Sequence, residues 1–205
     1  MHFTGFPPEA LTFYANLERD NTKAFWDAHR DVYEDAVREP MELLVLDLQR
    51  EFGAAKVYRP YRDVRFSKDK TPYKTHQGAI FDSHRYVQIS AEGLRVGGGR
   101  YRPEPPALAK IRRAIDHGVH GRELEAIKAE LEAADMTYMP PALKTAPRGY
   151  PKDHPRIDLL RCKTHAAFTS FEIAPWLHTA EAKDRIAEAW RRLGPLVAWL
   201  ERHGA

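Results

Sequence analysis

The densest group of side chains that could do chemistry lies in residues 58–76. Arginines, lysines and aspartates alternate there with a serine and several aromatic residues. In an extended backbone, Arg62 lies on one face of the segment, while Asp63 and Arg65 lie on the other. A carboxylate beside two arginines stays ionised and holds their guanidinium groups in one orientation. Such guanidinium groups, with mobile ammonium groups nearby, are suited to binding an oxyanion.

Residues 147–156 form a second unusual segment. Prolines restrict its backbone, so that Arg148, His154 and Arg156 are aimed with little loss of conformational entropy. Together, the two segments predict a site for a small ligand that carries a phosphate or carboxylate group. The candidate ligand-binding residues are Arg62, Asp63, Arg65, Ser67, Lys68, Asp69, Lys70, Tyr73, Lys74, Arg148, His154 and Arg156.

Each kind of residue in this set has an expected role. The arginines and lysines hold the anion, and Asp63 and Asp69 orient them. Ser67, Tyr73 and His154 supply hydrogen bonds or proton transfer. These residue types suit a binding protein and an enzyme equally, and no catalytic residue is assigned.

Two other interpretations of residues 58–76 stay open. The basic side chains could bind a nucleic acid, with Tyr61, Phe66 and Tyr73 stacking on bases, and this binding would weaken steeply with salt. Alternatively, the arginines and aspartates form a structural ion-pair network that fastens the segment to the acidic N-terminal helices. The small net charge of +3 favours a small anion over a nucleic acid.

Basic residues are concentrated in the middle of the chain. Residues 56–75 contain seven lysines and arginines against two aspartates, and residues 95–113 contain six against one glutamate. Residues 144–165 contain six against two aspartates. If these segments meet in the fold, they form a positive surface suited to an anion. If they stay apart, each is a solvated face paired with acidic helices.

Two motifs resemble catalytic or phosphate-binding motifs but lack the required context. Residues 67–70 fit the serine–x–x–lysine pattern of penicillin-recognising enzymes, yet Pro72 takes the chain out of helical geometry directly afterwards. Residues 97–99 are three glycines, but neither the ending of a P-loop nor the last glycine of a dinucleotide fingerprint follows. These glycines predict a bulge or a close approach between two backbones.

The sequence predicts no cofactor and no metal site. His117 and His120 are three residues apart, but no third ligand is placed beside them. Cys162 is the single cysteine, which excludes an intramolecular disulfide and a cysteine-based zinc site. The chain starts without a basic and apolar leader, and Asp47 interrupts its longest aliphatic run. We therefore expect a cytoplasmic protein with no membrane partner.

The spacing of apolar residues predicts three helices in the N-terminal part of the chain. Pro7 and Pro8 begin the first helix. Asn21 is expected to cap the second, which stops or kinks at Pro40. Gly53 is expected to end the third.

The middle of the chain predicts short antiparallel strands. Residues 86–90 and 94–96 are expected to pair as a β-hairpin, with Gly93 in a conformation of positive φ. Residues 137–163 are rich in proline and glycine and predict a long functional loop. A strand over residues 164–173 is expected to follow.

The C-terminal part of the chain predicts a helix that bends or breaks at residues 194–195. No alternation of strands and crossover helices is evident, so the sequence predicts an α+β fold. We expect a single domain over residues 1–205. Its antiparallel sheet contains a β-hairpin and is flanked by N-terminal and C-terminal helices.

Several segments of the sequence resemble one known family. These are residues 5–7, Asn21 with Phe25 and Trp26, and residues 59–74, 97–99, 147–150 and 154–156. Their pattern is similar to that of a bacterial and fungal family of conserved hypothetical proteins, catalogued as domain of unknown function 2461. The resemblance extends over nearly the whole chain and implies one domain of about 205 residues. It implies no established activity, cofactor or catalytic residue.

Overall fold

The fold is α+β, as the sequence predicts. A computed structural model describes residues 2–205. The helices are α1 (Pro8–Arg19), α2 (Lys23–Ala28), α3 (Arg30–Tyr33), α4 (Glu39–Phe52), α5 (Pro105–Asp116), α6 (Gly118–Ala133), α7 (Ile157–Arg161), α8 (Glu181–Arg192) and α9 (Gly194–Gly204). None of these helices combines the length and the apolar character needed to cross a membrane.

The strands form one six-stranded antiparallel sheet. They are β1 (Ala55–Val57), β2 (His76–Phe81), β3 (Arg85–Ser90), β4 (Gly93–Arg100), β5 (Thr137–Tyr138) and β6 (His165–Phe171). Their order across the sheet is β1-β2-β3-β4-β6-β5. In the register of β1 and β2, Ala55 lies opposite Phe81 and Val57 opposite Ala79.

The chain divides into two compact units. Unit 1 runs up to Val96 and includes Ser170–Glu188, and unit 2 comprises Gly97–Thr169 and Ala189–Ala205. The expectation of a single domain over residues 1–205 stays a prediction.

The core of unit 1 lies between its helices and its strands. Helix α4 contacts β2, and α1 contacts β3. Met41, Leu44 and Leu48 are buried on one face of α4 because they recur at intervals of three and four residues. Side chains of a β-strand point alternately to its two faces, and the face of β2 that is turned to the core includes Ala79 and Phe81.

The N-terminal helices differ from the prediction in one cap. Thr22, not Asn21, caps α2, because its hydroxyl accepts the backbone N–H of Phe25 at 3.2 Å. At Pro40 a stop or a kink was expected, and the chain stays helical there but changes its helix type just before the proline. A π-helical turn, Glu34–Arg38, precedes α4, and the N–H of Glu39 bonds back to the carbonyl of Glu34. This wider turn lets the chain continue as a helix past a proline that has no N–H to donate.

The predicted β-hairpin is confirmed. Strands β3 and β4 are joined through Ala91 and Glu92, and Gly93 has a φ of 111°. A side chain at this position would also lie 2.6 Å from the carbonyl oxygen of Phe171. Only glycine satisfies both conditions.

Unit 2 is built on α5, α6 and α9, which contact one another. The predicted break at residues 194–195 is confirmed as the boundary between α8 and α9. The three glycines run close to β6, and a Cβ on Gly99 would lie 2.4 Å from the carbonyl oxygen of His165. The glycines therefore serve the close backbone approach that the sequence predicts.

Residues 137–163 contain two short elements that the sequence does not predict. Strand β5 pairs with β6, and α7 lies near the end of the segment. Elsewhere the segment is irregular but hydrogen-bonded. The backbone N–H of Leu143 donates to the carbonyl of Arg161 at 3.0 Å, and the Arg161 Nε donates to the carbonyl of Leu143 at 2.7 Å.

Candidate functional site

Residues 58–75, here called the basic loop, connect β1 to β2 in unit 1. The antiparallel pairing of these strands continues into the loop. The N–H of Lys74 donates to the carbonyl of Pro60, and the N–H of Arg62 donates to the carbonyl of Pro72, both at 2.8 Å. The base of the loop is therefore an extension of the hairpin, and residues 63–71 form its tip.

Contacts from the N-terminal helical region hold the base of the basic loop in place. The Asn21 side chain accepts the N–H of Tyr73 at 3.1 Å and donates to its carbonyl at 3.0 Å. The ring of Tyr73 stacks on Trp26, with centroids 4.2 Å apart and planes 5° apart. Tyr73 is only 5% exposed, so its ring belongs to the core.

The arginines and aspartates of the loop pair with one another. Arg65 donates from Nε and Nη2 to the two oxygens of Asp63, at 2.9 and 2.7 Å. Arg62 reaches across the tip to Asp69 and Thr71. The backbone N–H of Thr71, together with Arg62, lowers the pKa of Asp69 to about 2. These ion pairs lie inside the loop rather than between the loop and the N-terminal helices.

The lysines of the loop differ in their partners. Lys70 donates to the carbonyl of Val64 at 2.9 Å, and Lys74 donates to the carbonyl of Arg59 at 2.7 Å. Lys68 is exposed and forms no hydrogen bond or ion pair with a residue of the described chain. The backbone N–H of Ser67 donates to the carbonyl of Val64 at 3.3 Å, which closes the turn at the tip.

A cleft of about 220 Å³ lies beside the base of the basic loop. Its aromatic lining residues are Trp26, Tyr33, Tyr58 and Tyr61. The π-helical turn Glu34–Arg38 forms another part of the wall. Such turns occur frequently at functional sites, because they present side chains that a regular helix would turn away.

The charged groups of this cleft are unevenly paired. Arg38 donates to Glu42 and to Glu34, each at 2.9 Å. The guanidinium group of Arg59 forms no hydrogen bond or ion pair with any residue in 2–205. Lys74 is not a lining residue of the cleft, but its ammonium group lies 5.2 Å from the centre of the Tyr58 ring, which is one. Burial and the charge of Arg59 lower the pKa of Lys74.

One residue that supports the cleft was missed in the sequence. Gln77 is buried on β2, where it accepts the hydroxyl of Tyr33 at 2.7 Å and donates to the carbonyl of Tyr58, also at 2.7 Å. It therefore fixes two of the aromatic walls. The signal was a polar residue at an inward position, two residues before Ala79.

The three remaining predicted residues lie in unit 2. His154 is 8% exposed, its Nε2 lies 3.1 Å from Asp116, and its Nδ1 accepts the N–H of Arg156 at 3.0 Å. Arg156 donates to the carbonyls of Ile115 and Asp116 at the C-terminal end of α5, at 2.6 and 3.1 Å. Both side chains are thus occupied by the protein.

The predicted site residues fall into two groups. The nine from Arg62 to Lys74 belong to the basic loop, where the aspartates engage Arg62 and Arg65 directly. In unit 2, His154 and Arg156 contact each other. Arg148 is exposed, and its side chain forms no hydrogen bond or ion pair within residues 2–205. Their common role as one ligand site stays a prediction.

Comparison with known proteins shows the family of the chain. No curated protein and no solved structure matches the chain. A model of the family described as "Conserved hypothetical protein (DUF2461)" matches residues 9–199, which include the basic loop and nearly all of both units. The chain therefore belongs to this family of conserved hypothetical proteins.

Proposed function

We propose that unit 1 binds a small ligand that carries both a ring and a phosphate or carboxylate group, in the cleft beside the basic loop. The observation that carries the proposal is the guanidinium of Arg59. It lines an aromatic cleft and has no hydrogen-bonding partner within residues 2–205. Arginine binds phosphate and carboxylate through paired N–H donors, so an unpaired guanidinium beside aromatic rings suits such a ligand.

The pairing of the other cations supports Arg59 as the anchor. Arg62 donates to Asp69 and Arg65 donates to Asp63, so both guanidinium groups already have partners within the loop. Lys74 remains close to Arg59, and burial and the neighbouring charge both lower the pKa of Lys74. A bound anion would offset this repulsion. In this proposal the ion-paired residues shape the loop and Arg59 contacts the ligand. Lys74, which donates to the carbonyl of Arg59, adds positive charge beside it.

The cleft limits the size of the ligand. Its volume of about 220 Å³ is smaller than that of most pockets for drug-sized molecules, which begin at roughly 300 Å³. The rings of Tyr58 and Tyr61 offer flat apolar surfaces. A monocyclic compound with one anionic group therefore fits best. The expected cytoplasmic location stays a prediction, and the proposal holds for a binding protein or an enzyme.

A nucleic acid is the second candidate ligand, and one observation favours it. Phe66, at the tip of the basic loop, is 96% exposed, and the guanidinium of Arg65 lies 5.9 Å from its ring centre. An exposed ring among cations can stack on a base. Tyr73 cannot stack on a base as predicted, because its ring is buried against Trp26.

The experiment is a thermal-shift screen of the full chain against aryl phosphates, aromatic carboxylates, nucleoside monophosphates and short oligonucleotides at two salt concentrations. The variants are Arg59→Ala and, as control, Lys56→Ala, an exposed cation of β1 outside the cleft. A small anion at a hundredfold excess over Kd should stabilise the wild type by about 2.7 kcal/mol. The control should keep this stabilisation, and Arg59→Ala should lose most of it.

Two results would overturn the proposal. One is the absence of a shift with every monocyclic anion. The other is an equal shift in wild type and Arg59→Ala. Stabilisation by oligonucleotides alone, falling steeply as salt rises, would replace the small ligand with a nucleic acid.

A further inference from the structure

Three histidines and a glutamate lie together at the start of α6 in unit 2. His117 precedes α6, His120 is in its first turn, and Glu123 follows three residues later on the same face. The last turn of α9 adds His203. The ring centre of His120 lies 4.4 Å from the ring centre of His117 and 4.4 Å from that of His203.

The two helices are fixed at this level by a hydrogen bond. The indole N–H of Trp199 donates to the carbonyl of His120 at 3.1 Å, and Trp199 is fully buried. The backbone positions of His120 and His203 are therefore set by core packing rather than by contacts between their imidazoles.

One nitrogen atom in this cluster is unexplained by the protein. The Nε2 of His203 is shielded from solvent and has no hydrogen-bonding partner within residues 2–205. Buried polar atoms almost always have a partner. Ligand atoms from His120, Glu123 and His203 all lie within 4.8 Å of one another. A partner that bound the Nε2 of His203 together with His120 and Glu123 would satisfy the unpaired nitrogen.

The chemistry of these three groups is that of a metal site. Two imidazoles and one carboxylate are a ligand set that zinc accepts when a fourth position stays open for water or substrate. In a tetrahedral site with bonds of about 2.1 Å, ligand atoms lie about 3.4 Å apart. Side-chain rotations that move each ligand atom by roughly 1 Å would therefore bring the three groups to this separation. His117 is not a ligand in this arrangement, because its Nδ1 accepts the N–H of Val119 at 3.3 Å.

Glu123 already has a partner that is compatible with metal binding. One nitrogen of Arg202 lies 3.0 and 3.3 Å from the two carboxylate oxygens. Ligating carboxylates commonly keep a hydrogen bond from an outer group, which orients them. Arg202 can retain one oxygen while the other turns to the ion.

The surroundings define what could occupy the open position. A cavity of about 400 Å³ adjoins the cluster, and its lining includes Lys110, Arg113 and Arg202. A bare cation would be repelled by these side chains. A cation whose fourth ligand is an anion would be favoured by them.

We propose that His120, Glu123 and His203 bind one divalent transition-metal ion of the zinc type, with an open coordination position that faces a basic cavity. The proposal concerns unit 2 alone and does not depend on the ligand proposed for unit 1. It differs from the expectation from sequence, in which His117 and His120 lacked a third ligand, because α9 supplies that ligand from a distant part of the chain.

The test uses the full chain without a histidine tag, stripped of metal by a chelator. Zn²⁺ is titrated calorimetrically, and Co²⁺ is titrated while its visible absorption is recorded. We expect one ion per chain and intense absorption typical of a four-coordinate site. His203→Ala and Glu123→Gln should each weaken binding at least about tenfold. Glu123 is on the surface and Gln still accepts from Arg202, so this second variant should fold normally.

His2→Ala is the control, since His2 is an exposed histidine beside Asp47 in unit 1. It should bind Zn²⁺ as the wild type does. The proposal is overturned if no saturable binding occurs, or if both cluster variants bind as tightly as the wild type. Stabilisation by inorganic phosphate alone, lost in His203→Ala without any uptake of Zn²⁺, would also overturn it by identifying a plain anion site.

Discussion

The hydrogen-bonding partners of each basic side chain show which arginines could still bind a ligand and which already donate to groups of the protein. Residue types alone place Arg62, Arg65 and Arg156 among the binding groups, but each of these donates to an aspartate or to a helix end. Arg59 lies among the same basic residues and keeps its donors free within residues 2–205. Charge can be counted in a sequence, whereas pairing depends on side-chain geometry that only the fold sets.

The buried histidine of β6 makes the stability of the protein sensitive to acid. His165 is fully buried, and its Nδ1 lies 2.9 Å from the hydroxyl of Tyr138. Burial, with a smaller effect of Arg112, lowers the pKa of His165 to about 4. The unfolded chain binds this proton more readily, so stability should fall as pH decreases from about 6.5 to 4, by roughly 3 kcal/mol.

Urea unfolding of the wild type and of His165→Gln across this pH range measures the effect. The variant lacks the titrating group, so its free energy of unfolding should change less with pH than that of the wild type. Equal pH dependence in the two proteins would contradict the assignment, whatever their absolute stabilities.

At the scale of elements, α5 and α6 meet at a position that requires glycine. A Cβ on Gly121 would lie 2.2 Å from the carbonyl oxygen of Ile115 and 2.3 Å from the Nε of Arg156. Gly121→Ala should therefore destabilise the protein by about 1–3 kcal/mol, although alanine is the better helix former. Chemical denaturation measures this change.

Gly118→Ala, in the same helix, is the matched control. Its nearest neighbouring atom lies 3.7 Å from the added Cβ, so the substitution should be neutral or stabilise by up to about 1 kcal/mol. Destabilisation of the same size in both variants would show that the close approach at Gly121 does not decide the result.

The sequence predicts those elements whose signals are local. Gly93 marks a turn through its own backbone, and the glycine and proline at residues 194–195 separate two helices in the same way. Asn21 was misassigned because it bonds to Tyr73, far along the chain, and a neighbouring threonine serves as the cap. The π-helical turn before Pro40 was missed because its extra residue leaves only a small change in apolar spacing.

For the candidate site too, the sequence predicts only those features that are local. The composition of the basic loop is visible in the sequence, and so is the alternation that places Asp63 beside Arg65. The inward position of Gln77 on β2 is a local signal, but its partners Tyr33 and Tyr58 come from other elements. The third group of the His120 cluster also comes from another element, so no local pattern indicates it.

At the scale of the whole molecule, the path of the chain bears on the single-domain prediction. Strands β4 and β6 each contain the boundary between the two units, at residues 96–97 and 169–170. A strand that contributes to both units should transmit the loss of structure from one to the other. We therefore expect a single cooperative unfolding transition.

Tryptophan positions allow a direct test. Trp26 and Trp176 lie in unit 1, and Trp190 and Trp199 lie in unit 2. Variants that retain tryptophan in only one unit, with phenylalanine at the other positions, report on each unit by fluorescence. Their urea midpoints should coincide with the midpoint from circular dichroism of the same variant. Separate midpoints within one variant would show two domains.

The tip of the basic loop has a further consequence for how the chain can be cut. Phe66 presents an exposed aromatic side chain, the kind that chymotrypsin-like proteases recognise, in a segment outside the core. Both ends of the loop are tied below the tip, through the Tyr61–Tyr73 bridge and through Asn21. If a protease cut the backbone at the tip, the two fragments should stay associated. The rest of the protein should then keep its fold without an intact loop.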